Sequence, residues 1–159
     1  MNNIDEIIKH FKMQAHPEGG FYVETYRSDL KINTVKGERS ASTAIHFLIT
    51  KDSISHFHKL SSDEGWHFHM GDPLKIIEIT PSGELKETLL GPDFFSGQKL
   101  QYIVPAGHWF ASTSSGEFSL VGCTVSPGFE FEDFEMAKFD ALSGQFPELS
   151  NICKKYCLD

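Results

Sequence analysis

Between residues 44 and 125 the chain changes character every few positions. Short apolar or alternating runs cover 44–49, 53–60, 66–70, 74–79, 85–90, 100–104, 108–112 and 118–125. Between many of them lie turn-forming clusters: Gly71-Asp72-Pro73, Pro81-Ser82-Gly83, Gly91-Pro92-Asp93, Ser96-Gly97 and Pro105-Ala106-Gly107. Glycine and proline punctuate the backbone, and runs this short between them suit strands rather than helices. Many strands at this spacing predict a mainly β sandwich or barrel, and a closed jelly roll manages the strand edges. No strand–helix alternation appears, which argues against a doubly wound sheet. A further weakly alternating run, Phe21 to Tyr26, follows the Gly19-Gly20 turn.

Both ends read as helix. Ile4, Ile7, Ile8 and Phe11 fall at helical spacing and predict a helix over about 3–12, with Asn3 and Glu6 resembling a capping box. Apolar residues at the same spacing predict helices over 134–142 and 147–156, the second beginning near Pro147. No internal repeat or linker divides the chain. Its 159 residues suit one domain, 1–159, with the barrel over about 20–126 and the closing helices over about 132–157.

Charge narrows the partners. Fourteen basic and 22 acidic residues leave a net charge of -8, which argues against nucleic acid and anionic membranes. Fourteen phenylalanines suit a core of packed aromatic faces. The three cysteines, Cys123, Cys153 and Cys157, form no framework and point to a reducing compartment. Cys153 and Cys157 would share a helix face and pack in the core. No apolar run reaches membrane-spanning length and no signal-peptide core opens the chain, so a cytoplasmic protein is expected.

Histidines concentrate where the strands do. His56 and His58 would project from one face of a strand, as would His67 and His69 from a second strand that Glu64 opens. Buried polar groups need partners. A metal, a proton-transfer site or a hydrogen-bonded core would each supply them.

These residues carry a resemblance. His56-Phe57-His58, then Glu64 and Gly71, resembles the first motif of the cupin superfamily, and Pro105-Ala106-Gly107 resembles part of the second. Phe110 occupies the place of the second motif's histidine, while His108 directly follows Gly107. Further landmarks resemble cupin family 5: His16-Pro17-Glu18-Gly19-Gly20, Glu24-Thr25-Tyr26-Arg27-Ser28, Asp63-Glu64-Gly65-Trp66-His67-Phe68 and Gly122-Cys123-Thr124-Val125-Ser126-Pro127-Gly128-Phe129. They run along nearly the whole chain.

The resemblance implies a single-domain jelly-roll β-barrel with short terminal helices, a homodimer, and a small polar or anionic metabolite in the barrel. Two chemistries follow from it. In one, His56, His58 and Glu64 hold a divalent transition metal, with His108 as a fourth candidate. In the other, an isomerase- or epimerase-like enzyme uses His58 or His67 as base and Tyr26 or Tyr22 as acid, with Glu64 beside them. Arg27 and Lys59 are candidates to hold a phosphate or carboxylate. Glu18 either bonds the adjacent turn or lines the cavity. Trp66 and Trp109 either line a pocket or pack. His16 reads as a turn residue, Glu24 and Arg27 as a surface pair, and His46 as a hydrogen-bonded core residue. A non-catalytic small-molecule binder remains the alternative to an enzyme, because this barrel hosts unrelated functions.

Overall fold

A computed structural model describes residues 4–159. Asn3, half of the expected capping box, lies outside the described residues. The first helix, α1 (Ile4–Phe11), carries Asp5 and Glu6 in its first turn and Lys9 and His10 in its last, which complements the helix dipole. It ends at Lys12, whose φ of 54° breaks the helical path.

Thirteen strands follow: β1 (Gln14–Ala15), β2 (Phe21–Arg27), β3 (Lys31–Thr34), β4 (Gly37–Ser40), β5 (Thr43–Thr50), β6 (Ile54–Leu60), β7 (Asp63–Gly71), β8 (Leu74–Ile79), β9 (Leu85–Leu90), β10 (Gln101–Val104), β11 (Trp109–Ser114), β12 (Phe118–Ser126) and β13 (Phe134–Met136). They form a six-stranded sheet in the order β1-β2-β5-β12-β7-β10 and a five-stranded sheet in the order β13-β6-β11-β8-β9. Every neighbouring pair runs antiparallel. The strands β3 and β4 form a separate hairpin. The architecture is mainly β, a jelly roll whose two sheets face each other.

Period-2 alternation fills the space between the sheets. Phe47 and Ile49 from β5, Trp66 from β7, Ile76 from β8, Phe110 from β11 and Val121 from β12 meet there, all essentially without solvent contact. Burying an aromatic of this kind contributes roughly 2–3 kcal/mol.

The outer face of the five-stranded sheet is covered by α2 (Phe139–Gln145) and α3 (Ser150–Tyr156). There Phe57, Ile77, Ile79 and Trp109 pack against Leu142, Phe146, Cys153 and Tyr156. Cys153 and Cys157 are both buried in this layer, as their spacing implies. Trp109 is thus a packing residue. On the other sheet, Ile7 of α1 packs against Leu48 and Leu120. Among the described residues, no helix is long and apolar enough to cross a membrane.

Two elements differ from the sequence reading. Residues 134–136 are not the start of a helix; they form the edge strand β13, which pairs with Leu60, Lys59 and His58 of β6. The β3–β4 hairpin has no apolar signature, and polar residues such as Lys31, Asn33, Glu38 and Arg39 concealed it.

Candidate functional site

The segment leading into β2 turns sharply. Gly19 and Gly20 adopt φ of 110° and 75°, and a Cβ on Gly19 would stand 1.9 Å from the Ile54 carbonyl oxygen. Only glycine fits such an approach. The turn presses the backbone onto β6, where the His56 N–H donates to the Glu18 carbonyl oxygen at 2.7 Å. The His56 ring donates from Nδ1 to the same oxygen, also at 2.7 Å. Glu18 is thereby held with its carboxyl group buried inside the barrel.

His58 meets it there. Its Nδ1–H donates to the His56 carbonyl oxygen at 2.7 Å, and its Nε2 lies 2.9 Å from Glu18 Oε2. Burial opposes a charge on His58, but the Glu18 carboxylate and the hydrogen bond to it outweigh burial and raise its pKa. Burial likewise works against the Glu18 carboxylate, and His58 overcomes it, so the pKa of Glu18 is lowered. The pair is an imidazolium–carboxylate ion pair. His16 stands beside it with Nδ1 accepting from the Glu18 N–H at 3.2 Å, and burial lowers its pKa.

Glu64 faces the same space from β7 and has the opposite character. Burial pushes its pKa up to about 8, with His58 pulling down and Glu18 adding to the rise. It therefore carries a proton at neutral pH. Its Oε2 is buried and has no hydrogen-bond partner. Cys123 on β12 bonds Glu64 and is itself raised well above the ordinary thiol value, by burial first and then by Glu64.

These groups line a cavity of about 240 Å³ together with Tyr22, Ile45, Phe129, Phe131 and Phe134. Its mouth carries Glu24, Arg27 and Glu130. Arg27 donates from Nη2 to Glu24 Oε1 at 2.7 Å and to the Phe129 carbonyl oxygen at 3.1 Å, and from Nη1 to Glu130 Oε1 at 2.8 Å. The segment after β12 that bears Phe129, Glu130 and Phe131 forms one wall. The Phe129 N–H donates to Thr43 Oγ1 at 2.9 Å, and Arg39 clasps Asp133 through Nε at 2.7 Å and Nη2 at 3.0 Å.

The cavity thus brings together His58, Glu64, Glu18, Arg27 and Tyr22 from the expected set. It leaves out the others. His67 is an odd number of residues from Glu64, so it projects from the outer face of β7, where its Nε2 lies 2.9 Å from Thr124 Oγ1. Tyr26 is 55% exposed and outside the lining. A β-bulge between Glu24 and Tyr26 shifts the register of β2, so Arg27 rather than Tyr26 follows Tyr22 and Glu24 toward the cavity. Lys59 lies on the outer side of β6, over the Trp109 ring and 3.1 Å from Glu135. Trp66 is a core residue with no solvent contact. His108 turns away to bond the buried Glu78, whose other oxygen accepts from the Tyr102 hydroxyl at 2.6 Å.

The expected metal set does not fit. His58 has both ring nitrogens engaged, and His56, bonded through Nδ1 to the Glu18 carbonyl, lies outside the cavity lining. Among the described residues, no group of three His, Cys, Asp or Glu side chains is placed to hold a metal ion.

His46 also differs from its reading, since it is half-buried with Nδ1 unpartnered. His16, Cys123 and the aromatic wall at 129–134 carry the site without having been singled out for it. Their only signal was that His16, Cys123 and Phe129 fall within the family landmarks.

Comparison with known proteins agrees with this architecture. A family model described as Cupin superfamily (DUF985) matches residues 5–137. An uncharacterised protein of Saccharomyces cerevisiae, YML079W, is 30% identical over 154 residues, spanning 86% of this chain and 76% of the relative. The structure of a hypothetical protein from Leishmania major superposes with a TM-score of 0.93 at 36% identity, covering 99% of this chain and all (100%) of that one. That of protein SO0799 from Shewanella oneidensis gives 0.92 at 41% identity, covering 99% and 98%. Oxalate decarboxylase from Bacillus subtilis shares the fold alone, at a TM-score of 0.57 and 12% identity over 86% of this chain and 36% of that one. With the family model matching most of its length, the chain belongs to the cupin superfamily, in the family described as DUF985.

Proposed function

We propose that this cupin is a proton-transfer enzyme of the isomerase or epimerase type, acting on a small polar molecule in the barrel. The observation that carries the reading is the pair of carboxyl groups in one cavity, held in opposite protonation states. Glu18 is kept ionised by His58, and Glu64 is kept protonated by burial. Environments that push two titratable groups apart assign one as base and the other as acid.

The step balances with these groups alone. Glu18 takes a proton from carbon beside a carbonyl, and the C–H electron pair becomes a C=C bond. The carbonyl π pair takes the Glu64 proton. A neutral enol results, with Glu18 protonated and Glu64 ionised. Where the deprotonated carbon bears a hydroxyl, Glu18 returns its proton to the former carbonyl carbon while that hydroxyl gives its proton to Glu64, which moves the carbonyl by one carbon and restores both groups. His58 has no free nitrogen for substrate, so its part is to hold the Glu18 charge and position.

Incubation of a panel of small hydroxy-ketones in D2O tests this by NMR. The expected result is enzyme-dependent C–H to C–D exchange that Glu18→Gln and Glu64→Gln each lower by about 100-fold or more. His67→Ala retains it. A complete absence of exchange across the panel would sink the enzymatic reading in favour of a binder.

A further inference from the structure

The charge arrangement around the cavity selects among substrates, and this inference rests on the proton-transfer reading only for its second contact. An anion would need a cation to meet it. Every cation on the lining is already engaged: Arg27 by Glu24, Glu130 and the Phe129 carbonyl, and His58 by Glu18 and the His56 carbonyl. His16 accepts a hydrogen bond through Nδ1 and stays neutral. Lys59 is outside. An entering phosphate or carboxylate would lose its hydration among four glutamates, Glu18, Glu24, Glu64 and Glu130, and meet no unpaired cation among the described residues.

Among the described residues of the lining, one buried side-chain polar atom has no partner. Glu64 lines the cavity, and its Oε2 is buried with no partner. As a protonated carboxyl, Glu64 offers a donor to an acceptor oxygen. The groups facing it are Glu18, His58 and Cys123, of which the first two neutralise each other. The remaining walls are ring faces from Tyr22, Phe129 and Phe134, which suit C–H surface. A volume of about 240 Å³ lies below that of drug-sized sites, roughly 300 Å³ upward.

We propose that the cavity binds a small uncharged carbonyl compound, its carbonyl oxygen on Glu64, an adjacent C–H toward Glu18 and its hydrocarbon face on the Tyr22 and Phe134 rings. The small volume and the engagement of the described lining cations disfavour nucleotide-linked and phosphorylated substrates.

Three probes of nearly one size isolate the charge: hydroxyacetone, uncharged; pyruvate, an anion; and aminoacetone, a cation. Each is titrated at pH 7 against the full-length protein by ligand-observed NMR. Hydroxyacetone is expected to bind about tenfold tighter than either of the others. Glu64→Ala should weaken it about tenfold, the worth of one hydrogen bond, while Glu64→Gln, which keeps a donor, should retain it. If Glu64→Ala does not fold, the charge series on the native protein still decides. Tightest binding of pyruvate or of aminoacetone overturns the proposal, as does binding of none. Hydroxyacetone bound without deuterium exchange supports this assignment while overturning proton transfer. Exchange without charge selectivity does the reverse.

Discussion

One imidazole separates the fates of two carboxyl groups. Glu18 touches His58 and stays ionised, whereas Glu64 lacks such a contact and keeps its proton. Stability must record this. Folded Glu64 holds its proton up to about pH 8, against an ordinary 4.5 in the unfolded chain. Its contribution is fully present below about pH 4.5, falls by at most about 1.4 kcal/mol per pH unit, and is gone once pH passes about 8. The raised His58 acts in the same direction, its contribution present below 6.5 and lost as pH rises through its folded value. The lowered Glu18 acts oppositely, losing its contribution as pH falls below 4.5. Urea unfolding at several pH values should therefore show stability falling from about pH 5 to pH 8, and Glu64→Gln should flatten that slope. Separately, His58→Gln strands the Glu18 charge and should cost about 3–5 kcal/mol. Adding Glu18→Gln should recover much of the loss; equal losses in the single and double variants would argue against the ion pair. At this scale, sequence identifies His58 and Glu64 because two residues of one motif point inward from paired sheets. It misplaces His67, although parity alone puts His67 and Glu64 on opposite faces, and it cannot see that His58 has spent both nitrogens.

Strands delivered the site, and their irregularities decided which residues reach it. The bulge in β2 replaces Tyr26 by Arg27, and no residue near Thr25 marks it in advance. The Gly19-Gly20 turn, by contrast, is visible as a doublet before an alternating run. Gly19→Ala should cost about 1–3 kcal/mol from its positive φ alone and more from its clash with the Ile54 carbonyl, and should loosen Glu18 with it. Thermal unfolding measures the first effect. A Glu18 pKa shifted toward the ordinary carboxylate value, read by NMR, measures the second. The strands from 44 to 125 were readable because a half-buried sheet imposes alternation and tight turns impose glycine and proline. The hairpin at 31–40 was not, because it buries little apolar surface. Residues 134–136 failed differently. Phe134 is apolar at a helical interval from Ala137, yet its ring belongs to the barrel wall and its backbone to the edge of β6.

On the scale of the whole molecule, three apolar layers share the load: the interior between the sheets, the helical cover on the five-stranded sheet and the α1 patch on the other. Phe110 stands at the centre of the first layer, against His58 at a ring separation of 4.1 Å and against Trp66 at 6.2 Å. Phe110→Ala should cost about 3–5 kcal/mol in chemical unfolding. It should also release His58 from its fixed ring orientation, visible as altered imidazole resonances. The cavity walls come from both ends of this molecule, Gln14, His16 and Glu18 near the start and Glu130, Phe131 and Phe134 near the end. No fragment stopping short of β13 possesses the complete site. A nascent chain is thus blind to its ligand until nearly all of the barrel has been synthesised, and the ligand can favour only the finished fold over everything that precedes it.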